Sequence, residues 1–340
     1  MIEPTIYSFE EALERTEGHR HVLLGNGFSI ACRHDIFMYD ALFDRADFQN
    51  LSDAVKAAFD LLGTTDFEEV MRALKSAALL SRLYQGQDGG AAEQMQHDAA
   101  ALREVLVNAI ANSHPDHPFT ISEDEYSHCK QFLSNFKKIY TFNYDLLLYW
   151  TIMRNEILPR FRTDDGFRHP QVEGMPYVTW EPNNTHDQNI YYLHGALHVF
   201  DAGTEIQKYT WSNTGVRLTD QIREALANGK YPLFVAEGDT SQKLSRIRHS
   251  DFLARGRESF GRISGSLFIY GHSLAPNDEH YLSLLEQNRG IVSIFVSIYG
   301  DPTTESNQAI IERALAMRTK RGEEALQVRF YDAESASVWR

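Results

Sequence analysis

Apolar positions along this chain fall into two patterns. One is the short, nearly continuous run: Val22–Leu24, Lys138-Ile-Tyr-Thr-Phe142, Asn189-Ile-Tyr-Tyr-Leu193, Pro232-Leu-Phe-Val-Ala236, Ser266-Leu-Phe-Ile-Tyr270, Ile291–Ile298 and Leu326–Tyr331. Runs of this length without polar alternation predict parallel strands covered on both faces. The other pattern is helical. Phe67, Val70, Met71, Leu74 and Ala78 recur at the spacing of one helix face, as a bundle core or an oligomer interface. Residues 35–136 read as helix throughout, broken at Gln87-Asp-Gly-Gly90. Ser8-Phe-Glu-Glu11, Thr65-Asp-Phe-Glu68 and Ser122-Glu-Asp-Glu125 have the form of capping boxes. Helical segments at 146–155, 220–227, 278–287 and 306–318 separate most of the later strands.

Strand and helix in alternation predict an α/β fold with a doubly wound, mostly parallel, Rossmann-like sheet. Residues 1–34 and 137–340 would form that body, with 35–136 as a large helical insertion after the first strand. The stretch 155–188, rich in Pro, Asn, Asp and Gly, is the least regular, as a lid or a long surface excursion.

In an open parallel sheet, ligands bind beyond the carboxyl ends of the strands, and four of these strands end in polar or glycine clusters. They are Gly25-Asn-Gly-Phe-Ser29, Thr141-Phe-Asn-Tyr-Asp145, His194-Gly195 and Gly271-His-Ser-Leu-Ala-Pro-Asn-Asp278. A glycine turn between strand and helix lets backbone approach a ligand and frees N–H groups for an anion. Each cluster also has a plain structural role open to it. Asn143 is a good helix N-cap, Asp145 suits the positive end of a helix, and Ser273 or Asn277-Asp278 suits a helix start.

Composition narrows the partners. A formal charge of −14 over 340 residues argues against general nucleic-acid binding. Two distant cysteines, Cys32 and Cys129, make no four-cysteine zinc site and suggest a reducing compartment. No apolar run approaches the ~20 residues of a membrane span, and Met1-Ile-Glu-Pro4 does not open a signal peptide. A cytoplasmic protein is expected. Fourteen histidines, among them His194, His198, His272 and His280 near the crevice, raise a metal-dependent hydrolase as an alternative. No compact His/Asp motif is present in the sequence, so no metal is expected. His114-Pro-Asp-His117 has the look of a solvated turn.

Taken in order, the four clusters resemble the sirtuin-like NAD-binding superfamily. Gly25–Ser29 is similar to its Gly-Ala-Gly-x-Ser phosphate loop and Thr141–Asp145 to its Thr-x-Asn-x-Asp segment. Leu193-His-Gly195 resembles the segment carrying its catalytic histidine, and Gly271-His-Ser-Leu274 its Gly-x-Ser-Leu loop. The Gly-Asn-Gly-Phe start is most similar to bacterial sirtuin-like proteins, including the abortive-infection AbiH group. The resemblance implies NAD as substrate, cleaved at the nicotinamide–ribose bond, in anti-phage defence. By the same resemblance, Asn143 holds the ribose and the attacking water, and His194 acts as base or hydrogen-bond partner to the ribose hydroxyls. Asp145 contacts the nicotinamide amide or steadies the positive charge. Gly25, Gly27 and Phe28 offer N–H groups to the pyrophosphate with Ser29 assisting, Asn26 alters that pocket, Gly271 and Ser273 lie toward the adenosine, and Asp278 is a further cofactor-binding residue. The departures are the missing zinc module and the helical insertion, and they exclude zinc-dependent deacetylation from what is implied. A non-catalytic NAD, ADP-ribose or nucleotide sensor is the alternative. NAD cleavage would poison a cell, so control by oligomerisation through 35–136 or by a protein trigger is expected.

Overall fold

The computed structural model describes residues 4–49, 51–85, 90–169, 175–184, 186–235, 240–322 and 326–340. Among these described residues, eleven strands form two sheets: β1 (Ile6–Tyr7), β2 (Arg20–Leu24), β3 (Lys138–Thr141), β4 (Phe167–Arg168), β5 (Tyr177–Trp180), β6 (Ile190–Tyr192), β7 (Val199–Asp201), β8 (Ile206–Tyr209), β9 (Gly265–Tyr270), β10 (Ile291–Ile298) and β11 (Gln327–Asp332). Seven of them make an all-parallel sheet in the order β1-β11-β10-β9-β2-β3-β6. The apolar runs explain it. Val22, Leu23 and Leu24 in β2 and Leu267, Phe268 and Ile269 in β9 are fully buried, and Phe268 stacks on Phe295 of β10 at 4.6 Å. Only strands sandwiched on both faces tolerate such sequences.

The order places the site. From β2 the chain moves to β3 and β6 on one side, then returns to β9 on the other side of β2 and continues to β10 and β11. The winding direction therefore reverses between β2 and β9, where a crevice opens beyond the carboxyl ends. The segments that follow these two strands carry Gly25–Gly27 and Gly271–Asp278.

Helices fill the interval between β2 and β3, chief among them Asp53–Leu62, Phe67–Gln85, Gly90–Ser113 and Glu123–Leu133. Residues 87–89 of the expected break lie outside the described residues, and Gly90 itself opens a helix. Phe67, Val70, Met71, Leu74 and Ala78 are buried within the chain, so that stripe is a core and is not free to serve as an oligomer interface. Much of the insertion, from Phe37 to Leu133, shares one apolar cluster with the sheet. The capping boxes at Ser8–Glu11 and Ser122–Glu125 form. The third is shifted: Asp66, rather than Thr65, accepts the Glu68 and Glu69 N–H groups at 2.8 and 3.4 Å, while Thr65 donates to Asp40.

Two expectations need correction. The irregular stretch holds β4 and β5, which join β8 and β7 in a four-stranded antiparallel sheet, order β4-β5-β8-β7. Its strands are two to four residues long, too short for periodicity to show. Residues 170–174 and 185 of that stretch lie outside the described residues. The run Pro232–Val235 does not enter the parallel sheet. Phe234 makes an isolated antiparallel bridge to Gly195, the Val235 N–H donates to the His194 carbonyl at 3.0 Å, and Ala236 is outside the described residues. Two helices that no sequence pattern announced, Thr240–His249 and Asp251–Gly261, precede β9. Among the described residues no helix is long and apolar enough to cross a membrane.

Candidate functional site

A cavity of about 890 Å³ opens at this crevice, within the size range of small-molecule sites. Gly25, Asn26, Gly27, Asn143, Asp145, His194, Gly271, Ser273 and Asp278 all line it. Phe28 and Ser29 do not: Phe28 is buried against Trp339, whose indole N–H donates to the Phe28 carbonyl at 2.9 Å, and Ser29 is wholly buried. The four strand-end clusters thus meet in space.

The glycine turn has a different job from a free anion cradle. Gly25 N–H donates to the Tyr270 carbonyl at 2.9 Å, Gly27 N–H to the Gly271 carbonyl at 2.8 Å, and Phe28 N–H to the Gly25 carbonyl at 2.9 Å. A Cβ on Gly27 would lie 2.5 Å from Gly271 Cα, and one on Gly25 2.6 Å from the Gly271 carbonyl oxygen. The glycines let the β2 and β9 loops touch backbone to backbone. All three N–H groups expected to meet a pyrophosphate are already engaged. The Asn26 amide bridges to the Phe37 carbonyl at 3.1 Å, tying the turn to the insertion.

Behind the turn lies a buried polar chain. Asn143 Nδ2 donates to the Gly25 carbonyl at 3.0 Å and to Ser29 Oγ at 2.8 Å. Ser29 in turn donates to Asp145 Oδ2, while Asp145 Oδ1 accepts the Leu147 N–H at 2.8 Å. Asp145 therefore takes up a helix-start N–H at Leu147–Met153, the role weighed for Asn143. Burial raises the Asp145 carboxyl above its ordinary value. With both amide hydrogens of Asn143 engaged, Oδ1 is the atom this half-buried side chain offers to a ligand. Ser29, which does not line the cavity, and Asp145 position it.

The opposite wall is ionic. Lys243, buried on helix Thr240–His249, pairs with Glu68 Oε2 at 2.7 Å and lies 3.8 Å from Asp278 Oδ1. The Tyr144 hydroxyl meets Glu68 Oε1 at 3.1 Å. Burial raises Glu68 above the carboxylate range even against the pull of Lys243. For Asp278, burial alone would raise the carboxyl. The hydrogen bond from His272 and the nearby His194 and Lys243 outweigh that and hold it well below its usual range. The Leu274 N–H donates to His272 Nδ1 at 2.9 Å, so the His272 proton sits on Nε2 and donates to Asp278 Oδ2 at 2.9 Å. Leu274 holds a left-handed φ of 55° to make this turn. Ser273 is exposed on the cavity rim and caps no helix, the following 3-10 turn being entered through Ala275.

His194 is stacked on Phe142 at 4.4 Å and almost completely buried. Its Nε2 lies 3.1 Å from His280 Nε2 and 3.6 Å from Asp278 Oδ1. Burial holds it well below the ordinary histidine range, so it stays neutral near pH 7 instead of exchanging protons there. No compact His/Asp motif marks them in the sequence, yet folding brings His194, Asp278 and His280 together. His198 is buried between Tyr149 and Tyr192, and is not a cavity residue. His114 is no solvated turn. Its Nε2 accepts the Leu146 N–H at 3.0 Å, and its ring meets Trp150 edge-on at 4.6 Å, pinning the insertion to the segment that follows Asn143.

Five imidazoles are thus buried in the neutral form. Burial pushes His21, His114 and His280 down to about 4, and His194 and His198 well below 6.5. A depressed folded-state pKa contributes stability that is present above the unfolded value of about 6.5 and is lost as pH falls toward 4, by up to about 1.4 kcal/mol per pH unit per group. Glu68, Asp66 and Asp145, raised by burial, act in the opposite sense. Five groups against three predict a urea midpoint that falls steadily from pH 6.5 to 4.5. A midpoint constant over that window would contradict the burial of neutral imidazoles.

A model of the family described as Domain of unknown function (DUF4917) matches residues 22–339, and the chain belongs to that family. No curated protein matches it.

Proposed function

We propose that this cavity takes NAD and that the chain hydrolyses the nicotinamide–ribose bond, on a doubly wound, sirtuin-like Rossmann fold. One observation carries the reading: the four segments that resemble the superfamily's motifs, far apart in sequence, line a single cavity where the sheet reverses direction. In this reaction the glycosidic C–N bond breaks and nicotinamide leaves with the bonding pair. Water adds to the anomeric carbon and gives up a proton. The site has to hold the ribose, aim the water and tolerate an oxocarbenium-like centre. Asn143 Oδ1, fixed through Gly25 and Ser29, is suited to accept a hydrogen bond from the water or a ribose hydroxyl. The neutral imidazole of His194 supports a hydrogen-bonding role toward the sugar better than a base titrating near neutrality. Asp278, held ionised by His272 and Lys243, supplies negative charge on the wall where positive charge would develop. Because the turn N–H groups are engaged, the pyrophosphate would rely on other donors at the rim, which include Arg340. By the same resemblance the reaction would serve anti-phage defence.

The deep burial of His194 favours a second reading, a sensor that holds NAD or ADP-ribose without turnover. Calorimetric titration of full-length protein with ADP-ribose, beside an assay for nicotinamide, separates the two. Binding with release is expected. Binding without release supports the sensor, and no binding of ADP-ribose or NAD removes both.

A further inference from the structure

We propose that His194 Nε2, His280 Nε2 and Asp278 Oδ1 bind a divalent first-row transition ion at the inner wall of the cavity. One ligand atom from each residue lies within 4.8 Å of the other two, with His194 Nε2 at 3.1 Å from His280 Nε2 and 3.6 Å from Asp278 Oδ1. Metal–ligand bonds of about 2.0–2.2 Å put neighbouring ligand atoms roughly 3 to 3.5 Å apart, so the set needs little movement to close on an ion. Two imidazoles with one carboxylate suit zinc, manganese, iron or cobalt, and imidazole nitrogen does not suit calcium or magnesium.

A direct hydrogen bond between the imidazoles accounts for the 3.1 Å separation alone. It leaves Asp278 Oδ1 buried with no hydrogen-bond partner, an unusual state for a carboxylate oxygen. The other oxygen of the same carboxylate is held by His272, whose tautomer is fixed in turn by the Leu274 N–H. Outer-shell hydrogen bonds of this kind orient ligands in metal sites. His194 and Asp278 line the cavity, so an ion seated between them has an open side. Lys243, the cation at 3.8 Å from Oδ1, is drawn off by Glu68 at 2.7 Å.

The inference stands apart from the NAD reading. With an ion bound, His194 Nε2 is a ligand, and the open positions of the ion face the cavity in its place. Full-length protein, stripped with a chelator and titrated separately with zinc, manganese and cobalt chloride, is expected to retain one ion per chain after desalting. Cobalt adds a visible absorption band. His280→Ala should abolish retention, and Asp278→Asn, which keeps the side-chain volume, carries the test if the histidine variant fails to fold. His272→Gln should weaken binding by about 10–100-fold, while His249→Ala, on an exposed helix end, should leave it unchanged. Failure of wild type to retain any of the three ions would overturn the proposal, as would equal retention by the ligand variants. Neither result depends on NAD being bound or cleaved.

Discussion

Replacing Asn143 by alanine is expected to lower nicotinamide release from NAD by about 100- to 1000-fold with little loss of stability, the scale seen when a preorganised polar group is removed from a reacting centre. The side chain donates to the Gly25 carbonyl and Ser29 Oγ, and these two bonds aim its oxygen. Alanine removes that oxygen and frees Ser29, which retains its bond to Asp145. Asn143→Asp keeps the shape but replaces the amide donor with an acceptor facing the Gly25 carbonyl, so it should fail nearly as badly. Ser29→Ala should fall between wild type and these variants, since it leaves Asn143 one of its two anchors. If Asn143→Ala releases nicotinamide as fast as wild type, the assigned centre is wrong. The comparison is valid when the denaturant midpoints of the variants and wild type agree.

Gly195→Ala is expected to destabilise the protein by roughly 2–5 kcal/mol, from left-handed strain combined with overpacking. Gly195 follows His194 directly and has a φ of 86°, and a Cβ there would lie 1.9 Å from the Leu233 carbonyl oxygen. That carbonyl accepts the Ala196 N–H at 3.1 Å, and Leu233 N–H donates to Val199 at 2.7 Å. Backbone on both sides leaves no flexible side chain to give way. Gly203 is the matched control, with a φ of 82° and nothing within 4 Å of the point a Cβ would occupy. Gly203→Ala should show the conformational term alone, roughly 1–2 kcal/mol. Urea titration of both variants tests the difference, and equal losses would mean that the contact with Leu233 contributes nothing.

What was legible in the sequence follows from how local each cause is. Val22–Leu24 and Leu267–Ile269 announce themselves because a strand covered on both faces must be apolar at every position. The two-residue strand β4 carries no such signal, and the sheet it joins is held by pairings between residues as far apart as Tyr177 and Tyr209. Gly25 and Gly27 were visible as a turn, yet their reason is Gly271, which arrives from the far side of the chain. Glu68 looked like the last member of a capping box. Its function depends on Lys243, 175 residues on, and no local pattern connects the two. His194 and His280 are separated by 86 residues, so their convergence has no spacing to betray it. The candidate site was therefore readable as a set of strand ends, whereas its ionic wall and its histidine pair depended on tertiary contacts.

The same distinction explains the protonation of His194. Its residue type suggests a group titrating near neutrality. Complete burial against Phe142 and Tyr281 reverses that expectation, and burial cannot be read from one position in a sequence.

The most direct test of the central claim is nicotinamide released from NAD by purified full-length wild type, measured together with ADP-ribose and with Asn143→Ala as the blank. NAD cleavage in this cavity predicts the two products in equal amounts and no release above background from the variant. Intact NAD after prolonged incubation, with neither NAD nor ADP-ribose bound, would contradict it.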